Sequence, residues 1–118
     1  MIKILVIEPN KKPYIKEIND ELKAFQSVVD GYIQTIALIK NSVLVCNEEG
    51  KIKNLQPNRL LKASHICNIK DAKDDKYIDS LCGTFFILGL DDECELDSIS
   101  EEQIKYWTEE FGKEDLCL

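Results

Sequence analysis

Residues 83–90, Gly-Thr-Phe-Phe-Ile-Leu-Gly-Leu, are aromatic or aliphatic at successive positions rather than alternate ones. A strand sends neighbouring side chains to opposite faces, so this one is apolar on both and belongs at the centre of a sheet. Shorter runs of the same kind precede it. Residues 2–8 are rich in β-branched side chains and read as a buried first strand. Pro9-Asn10-Lys11-Lys12-Pro13 forbids continuation of either regular element. Residues 14–18 read as a short second strand, antiparallel to the first. Residues 32–39 and 42–46 read as a hairpin broken at Lys40-Asn41, and Asn47-Glu48-Glu49-Gly50 as its onward turn.

Two segments carry helical spacing instead. Ile18, Leu22, Phe25 and Val29 place a helix over residues 20–29, capped by Asn19 or Asp20 and stopped at Gly31. Ile104, Trp107, Thr108 and Phe111 mark a second helix ended by Gly112. Ser98-Ile99-Ser100-Glu101 has capping-box spacing, and Ser100 with Gln103 offers a second register. Leu55 to Leu61 is expected to hold one helical turn with Pro57 near its start, and residues 70–79 to form a charged loop. The expected fold class is α+β: an antiparallel or mixed sheet of four to six strands with two main helices, one after strand 2 and one C-terminal.

At 118 residues the chain is expected to be a single domain, 1–118, large enough to bury one core without metal or disulfide staples. Cys46, Cys67, Cys82, Cys94 and Cys117 are odd in number and irregularly spaced, and His65 is the one histidine. No Cys-x-x-Cys pair offers clustered soft ligands, so neither metal nor cofactor is expected and the cysteines read as reduced thiols. No apolar run approaches the length of a membrane span. The N-terminal run is too short and too soon charged for a signal peptide, so a cytoplasmic protein is expected.

The net charge of −7 is unevenly distributed. Residues 1–90 hold 13 basic and 11 acidic side chains, and residues 91–118 hold 2 and 11. The acidic C-terminal segment, 91–118, should repel duplex DNA and anionic membranes.

Three phrases in order resemble a known family: Lys3-Ile4-Leu5-Val6-Ile7-Glu8-Pro9 through Pro13-Tyr14; Gly31-Tyr32-Ile33 with Cys46-Asn47-Glu48-Glu49-Gly50-Lys51; and Gly83-Thr84-Phe85-Phe86-Ile87. Asn58-Arg59-Leu60 fits as well. The chain is similar over most of residues 1–90 to the domain of unknown function 3846, small proteins found largely in bacteriophages and mobile elements of bacteria. It departs at Asn10, where the pattern usually has glycine, and in a longer stretch over residues 62–79. The resemblance implies no catalytic residues. It implies a setting, since accessory genes of this kind often disarm a host defence.

No catalytic constellation stands out. His65 has no nucleophile phrase around it, Glu48-Glu49 reads as a solvated turn, and no phosphate-cradling glycine loop is present. A non-enzymatic binding protein is therefore expected. Arg59 is the single arginine among 15 basic residues. A lysine-biased composition leaves one arginine by chance; the functional alternative is a planar fork for phosphate or carboxylate that lysine cannot copy. Asn58 and Lys51 lie near it in sequence, with Lys53 and Lys62, and Tyr14 and Tyr32 could stack on a base. The expected ligand-binding set is Arg59, Asn58, Tyr14, Tyr32 and Lys51, and its ligand an anionic, nucleotide-like defence signal that the protein sequesters. The alternative is an acidic antagonist that imitates nucleic acid or blocks a host defence protein, using Tyr106, Trp107 and Phe111 beside its carboxylates. The oligomeric state is open, a homo-oligomer included.

Overall fold

The computed structural model describes residues 1–50, 52–67 and 77–112. Its strands are β1 (Ile2–Ile7), β2 (Tyr14–Ile18), β3 (Ile33–Leu38), β4 (Ser42–Asn47), β5 (Pro57–Lys62), β6 (Tyr77–Cys82), β7 (Phe85–Leu90) and β8 (Leu96–Asp97). Helix α1 (Leu22–Val29) follows β2, a 3-10 turn (Ala63–His65) follows β5, and α2 (Glu101–Phe111) follows β8. The fold is α+β. Six strands form one antiparallel sheet in the order β2-β1-β7-β4-β3, with β8 pairing the end of β7, and β5 and β6 form a separate two-stranded ribbon.

β7 is central, as its continuous apolar run requires. The period of two then divides the buried side chains into two cores. Ile4, Val6, Val43, Val45, Phe86 and Leu88 face α1 and meet Phe25 and Val29. Phe25 stands edge-on to Phe86 with ring centroids 5.5 Å apart. Leu5, Ile7, Leu44, Cys46, Phe85 and Ile87 point the other way, toward Trp107 and Phe111 of α2 and Leu61 and Leu81 of the ribbon. Full burial of each such side chain is worth about 1.5–3 kcal/mol, so a strand apolar on both faces anchors both layers.

Several local expectations change. Residues 57–61 lie in strand β5, not in a helical turn, and pair with β6. Pro57 is tolerated because it opens a two-stranded ribbon, where its missing N–H costs no central ladder bond. Residues 77–79 of the expected loop belong to β6; residues 70–76 lie outside the described residues. Helix α1 begins after Glu21, in extended conformation and without a side-chain cap, so neither Asn19 nor Asp20 caps it. At its other end Asp30, at φ 59°, takes the left-handed position that Gly31 was expected to fill. Helix α2 uses the second of its two registers: Gln103 N–H donates to Ser100 Oγ at 3.2 Å, and Ser100 N–H donates to Gln103 Oε1 at 2.9 Å. Asn10 adopts φ 60°, the left-handed conformation that a glycine would also supply. Cys46, Cys67, Cys82 and Cys94 are free thiols.

Candidate functional site

Asn58 and Arg59 are adjacent on β5 and both buried, at 0% and 1% exposure. A regular strand would send them to opposite faces. The pairing of β5 with β6 slips between Pro57 and Arg59, and this bulge turns both side chains inward. The Asn58 amide donates from Nδ2 to the carbonyls of Ile7 (2.8 Å) and Gly83 (2.9 Å). The Arg59 guanidinium donates from Nε to Phe111 O at 2.9 Å and from Nη2 to Lys11 O at 2.7 Å. Nη1 reaches Asn58 Oδ1 at 2.9 Å and Asn58 O at 3.2 Å. The fork therefore joins three segments of backbone, and its charge lies at the C-terminus of α2, where the helix dipole favours a cation. Both members of the expected anion-binding pair are thus buried and hydrogen-bonded within the chain, not placed on an open surface.

The remaining members of the expected set are not brought together. Tyr14, 40% exposed, lies on edge strand β2, and Tyr32, 64% exposed, precedes the opposite edge strand β3. Four strand spacings separate them, roughly 19 Å at about 4.8 Å each, so the two rings cannot hold one base. The Tyr14 phenol is raised above its usual pKa by burial first, and then by its hydrogen bond to Glu8 and that carboxylate's charge. Lys51 lies outside the described residues. Lys53 Nζ sits 3.7 Å from Glu49 Oε2.

Two other features stand out. One is a cleft of about 290 Å³ between the end of β4, the turn after it, and β6, lined by Gln34, Cys46, Glu48, Asp79, Leu81 and Cys82 among others. The Cys46 thiol is pushed up to about 11 by burial and, secondarily, by the charge of Asp79. Sequence reading missed this cleft because β6 carries no strand signal strong enough to bring Asp79 and Cys82 beside Cys46.

The second is an acidic face. Asp91, Asp92, Glu93, Glu95, Asp97, Glu101, Glu102, Glu109 and Glu110 are all exposed, and Lys105 is the one basic residue between 91 and 112. Of the three aromatic side chains, Tyr106 shares that surface: it is half-buried beside Glu102 and Glu109, with Lys40 Nζ 5.3 Å from its ring centroid. Trp107 (0%) and Phe111 (2%) point into the core, and Trp107 Nε1 donates to the buried Ser42 Oγ at 2.9 Å. Gln103 Nε2 donates to the carbonyls of Lys40 (2.7 Å) and Asn41 (2.9 Å), clasping the β3–β4 turn. His65 is a core residue, 2% exposed, with its ring centroid 5.1 Å from Phe111 and 5.6 Å from Trp107. Its Nδ1 accepts from Lys62 N–H at 3.1 Å, so Nε2 carries the proton and donates to Glu110 Oε1 at 3.1 Å. Helix α2 is thus held at its start, middle and end, and its carboxylates stand on a fixed scaffold.

The model of a family described as a domain of unknown function (DUF3846) matches residues 2–112, and the chain belongs to that family. Comparison with the curated proteins and with the solved structures gives no match. Among the described residues, no helix is long and apolar enough to cross a membrane.

Proposed function

We propose that this member of the DUF3846 family is a non-catalytic binding protein that docks its acidic face, residues 91–112, on a basic surface of a partner protein. One observation carries the reading: nine exposed carboxylates face water with a single lysine among them, while Trp107 and Phe111 of the same helix are committed to the core. Such a surface attracts a basic partner at long range, accelerates encounter and repels nucleic acid. Sequestration of an anionic nucleotide has less support, because Arg59 and Asn58 are turned inward and Tyr14 and Tyr32 lie on opposite edges of the sheet. The setting that the family resemblance implies makes the partner a nucleic-acid-binding protein of a bacterial host, met in the cytoplasm.

The test is capture from host extract on immobilised protein, comparing the natural chain with a variant carrying Asp92→Asn, Glu93→Gln, Glu102→Gln and Glu109→Gln. All four side chains are exposed. The natural chain should retain a basic protein that is released as salt rises toward about 0.5 M, where the screening length falls to a few ångström. The variant should fold and retain none. Equal retention of the same protein by both would refute the assignment.

A further inference from the structure

Strand β2 stands at one edge of the six-stranded sheet, and the hydrogen bonds of β1 show which backbone groups of β2 are left over. Lys3 N–H donates to Ser98 Oγ at 2.9 Å and Lys3 O accepts from Ile99 N–H at 2.9 Å, so both groups of Lys3 point away from β2. In the β1–β2 register Lys3 stands opposite Glu17, and Leu5 opposite Ile15. Antiparallel pairs alternate between bonded and non-bonded positions. The N–H and C=O of Ile15 and of Glu17 therefore all point outward from the sheet edge. Among the described residues, no hydrogen bond outside the strand ladders engages them. Lys16 and Ile18 lie on the face that carries α1, and a groove of about 300 Å³ separates them from the helix, lined also by Ala24, Ser27 and Val28.

From this arrangement we infer that β2 accepts an extended segment of a partner protein as an added antiparallel strand, with one apolar side chain of that segment seated in the groove beside α1. The outward N–H and C=O of Ile15 and Glu17 supply the ladder, and the groove supplies a side-chain pocket, the two parts of recognition by strand addition. Register sets the chemistry of the occupant, because directly opposite residues share a face. The residue opposite Ile18 faces Ala24 and Val28, one turn apart on α1, and is apolar. The next, opposite Glu17, is basic, and the one opposite Lys16 is acidic. The residue opposite Ile15 is apolar and covers a side chain that is 51% exposed. A second copy of the chain is a poor occupant. Centring a two-fold pairing on Lys16 or Glu17 sets like charges directly opposite one another, and centring it on Tyr14 or Ile15 brings Pro13, which has no N–H, into the ladder. The edge shares no residue with the acidic face, so it is a second and separate surface.

The probe is a peptide of blocked termini, Leu-Lys-Glu-Val-Thr, which sets its residues in order against Ile18, Glu17, Lys16, Ile15 and Tyr14. Amide correlation spectra of the full chain should show saturable shifts at residues 14–18 and at Ala24, Ser27 and Val28, with a dissociation constant of about 1 mM or below. The Ile15 and Glu17 amides should exchange with solvent deuterium about tenfold more slowly when free peptide stands at roughly ten times that constant, because their N–H groups enter the ladder. The same peptide N-methylated at its lysine and valine lacks the donors for Glu17 O and Ile15 O and should not bind. Glu17 is exposed, so Glu17→Lys should leave the fold intact. That variant should bind the peptide about threefold more weakly, and a peptide with glutamate in place of its lysine should restore the affinity. Equal binding of the N-methylated peptide, shifts confined to residues 91–112, or no shift with millimolar peptide would each overturn the assignment. Shifts at residues 14–18 that grow with protein concentration in the absence of peptide would overturn it in favour of a second copy.

Discussion

Replacing Arg59 by lysine keeps the charge and removes the fork, and the structure sets the cost. Arginine reaches Phe111 O, Lys11 O and Asn58 Oδ1 in three directions from one rigid plane. A lysine carries its donors on a single nitrogen and cannot span those acceptors. At least two buried oxygens then lose their partner, at about 1–3 kcal/mol each. The ammonium must also remain in a site that leaves only 1% of the residue exposed. The sum is bounded by the roughly 3–5 kcal/mol typical of breaking a buried charged contact. A domain of this size holds about 5–15 kcal/mol in total, so Arg59→Lys should remove a large part of it.

Trp107 is the single tryptophan, is fully buried, and packs against Phe111, so its fluorescence reports the affected helix directly. With a urea dependence of about 1–3 kcal/mol per molar, the unfolding midpoint should fall by roughly 2 M. Asn58→Ala should cost a comparable amount, and the double variant less than the sum, because the two side chains share one hydrogen bond. A midpoint within about 0.3 M of the natural chain's, equivalent to roughly 0.5 kcal/mol, would refute the reasoning. It would mean that Arg59 faces solvent and is available to a ligand, as its rarity in the sequence suggests.

Other positions give smaller or more conditional effects. The Cys46 thiol has a folded pKa of about 11 against 9.0 ordinarily, so burial favours its protonated form. Its contribution to stability is complete below pH 9 and lost as pH rises from 9 through 11; over that interval the urea midpoint of the natural chain should fall relative to that of Cys46→Val. Gly83 has φ +82°, and a Cβ there would lie 2.7 Å from Leu55 Cδ1, so Gly83→Ala should lower stability by about 1–3 kcal/mol in the same assay. Ser100→Ala removes the cap of α2 and should cost about 1 kcal/mol, a fall in Tm of roughly 4 °C by calorimetry.

What the sequence made legible is what rests on periodicity. β7 could be placed at the centre because its apolar run is continuous, and only a central strand covers both of its faces. Ser100 with Gln103 could be read as a cap because the spacing itself makes the reciprocal hydrogen bonds. The β5–β6 ribbon was hidden because its inward side chains are polar: a bulge, not an alternation, buries Asn58 and Arg59. Composition marked Arg59 as unusual but could not show its direction, which depends on that one-residue slip. The cleft was hidden for a related reason. Cys46 and Cys82 are far apart in the chain and meet around it only because β5 returns through β6 to the end of β4. The start of α1 differs by a turn's fraction from the Asn19 or Asp20 cap, and the structure gives no physical account of that preference.

A helix as acidic as α2 needs an explanation for staying docked. Glu101 and Glu102 occupy its first turn, where the dipole favours carboxylates, but Glu109 and Glu110 sit near the end that disfavours them, and no basic residue lies in the last turn. The Arg59 guanidinium on Phe111 O supplies that charge from another element, and His65 engages Glu110. Repulsion between neighbouring surface carboxylates is worth only a few tenths of a kcal/mol per pair, whereas burial of Trp107 and Phe111 is worth about 2–3 kcal/mol or more for each. Burial wins, and the residual repulsion is an exposed, long-range term that salt removes. Raising salt should therefore stabilise the fold slightly while it weakens attachment to a basic partner. The two responses have opposite signs. Loss of a captured partner at high salt, together with an unchanged or higher Tm, locates the effect in the acidic face rather than in unfolding, and a Tm that falls with salt would show that the carboxylates hold the fold together through attractive pairs.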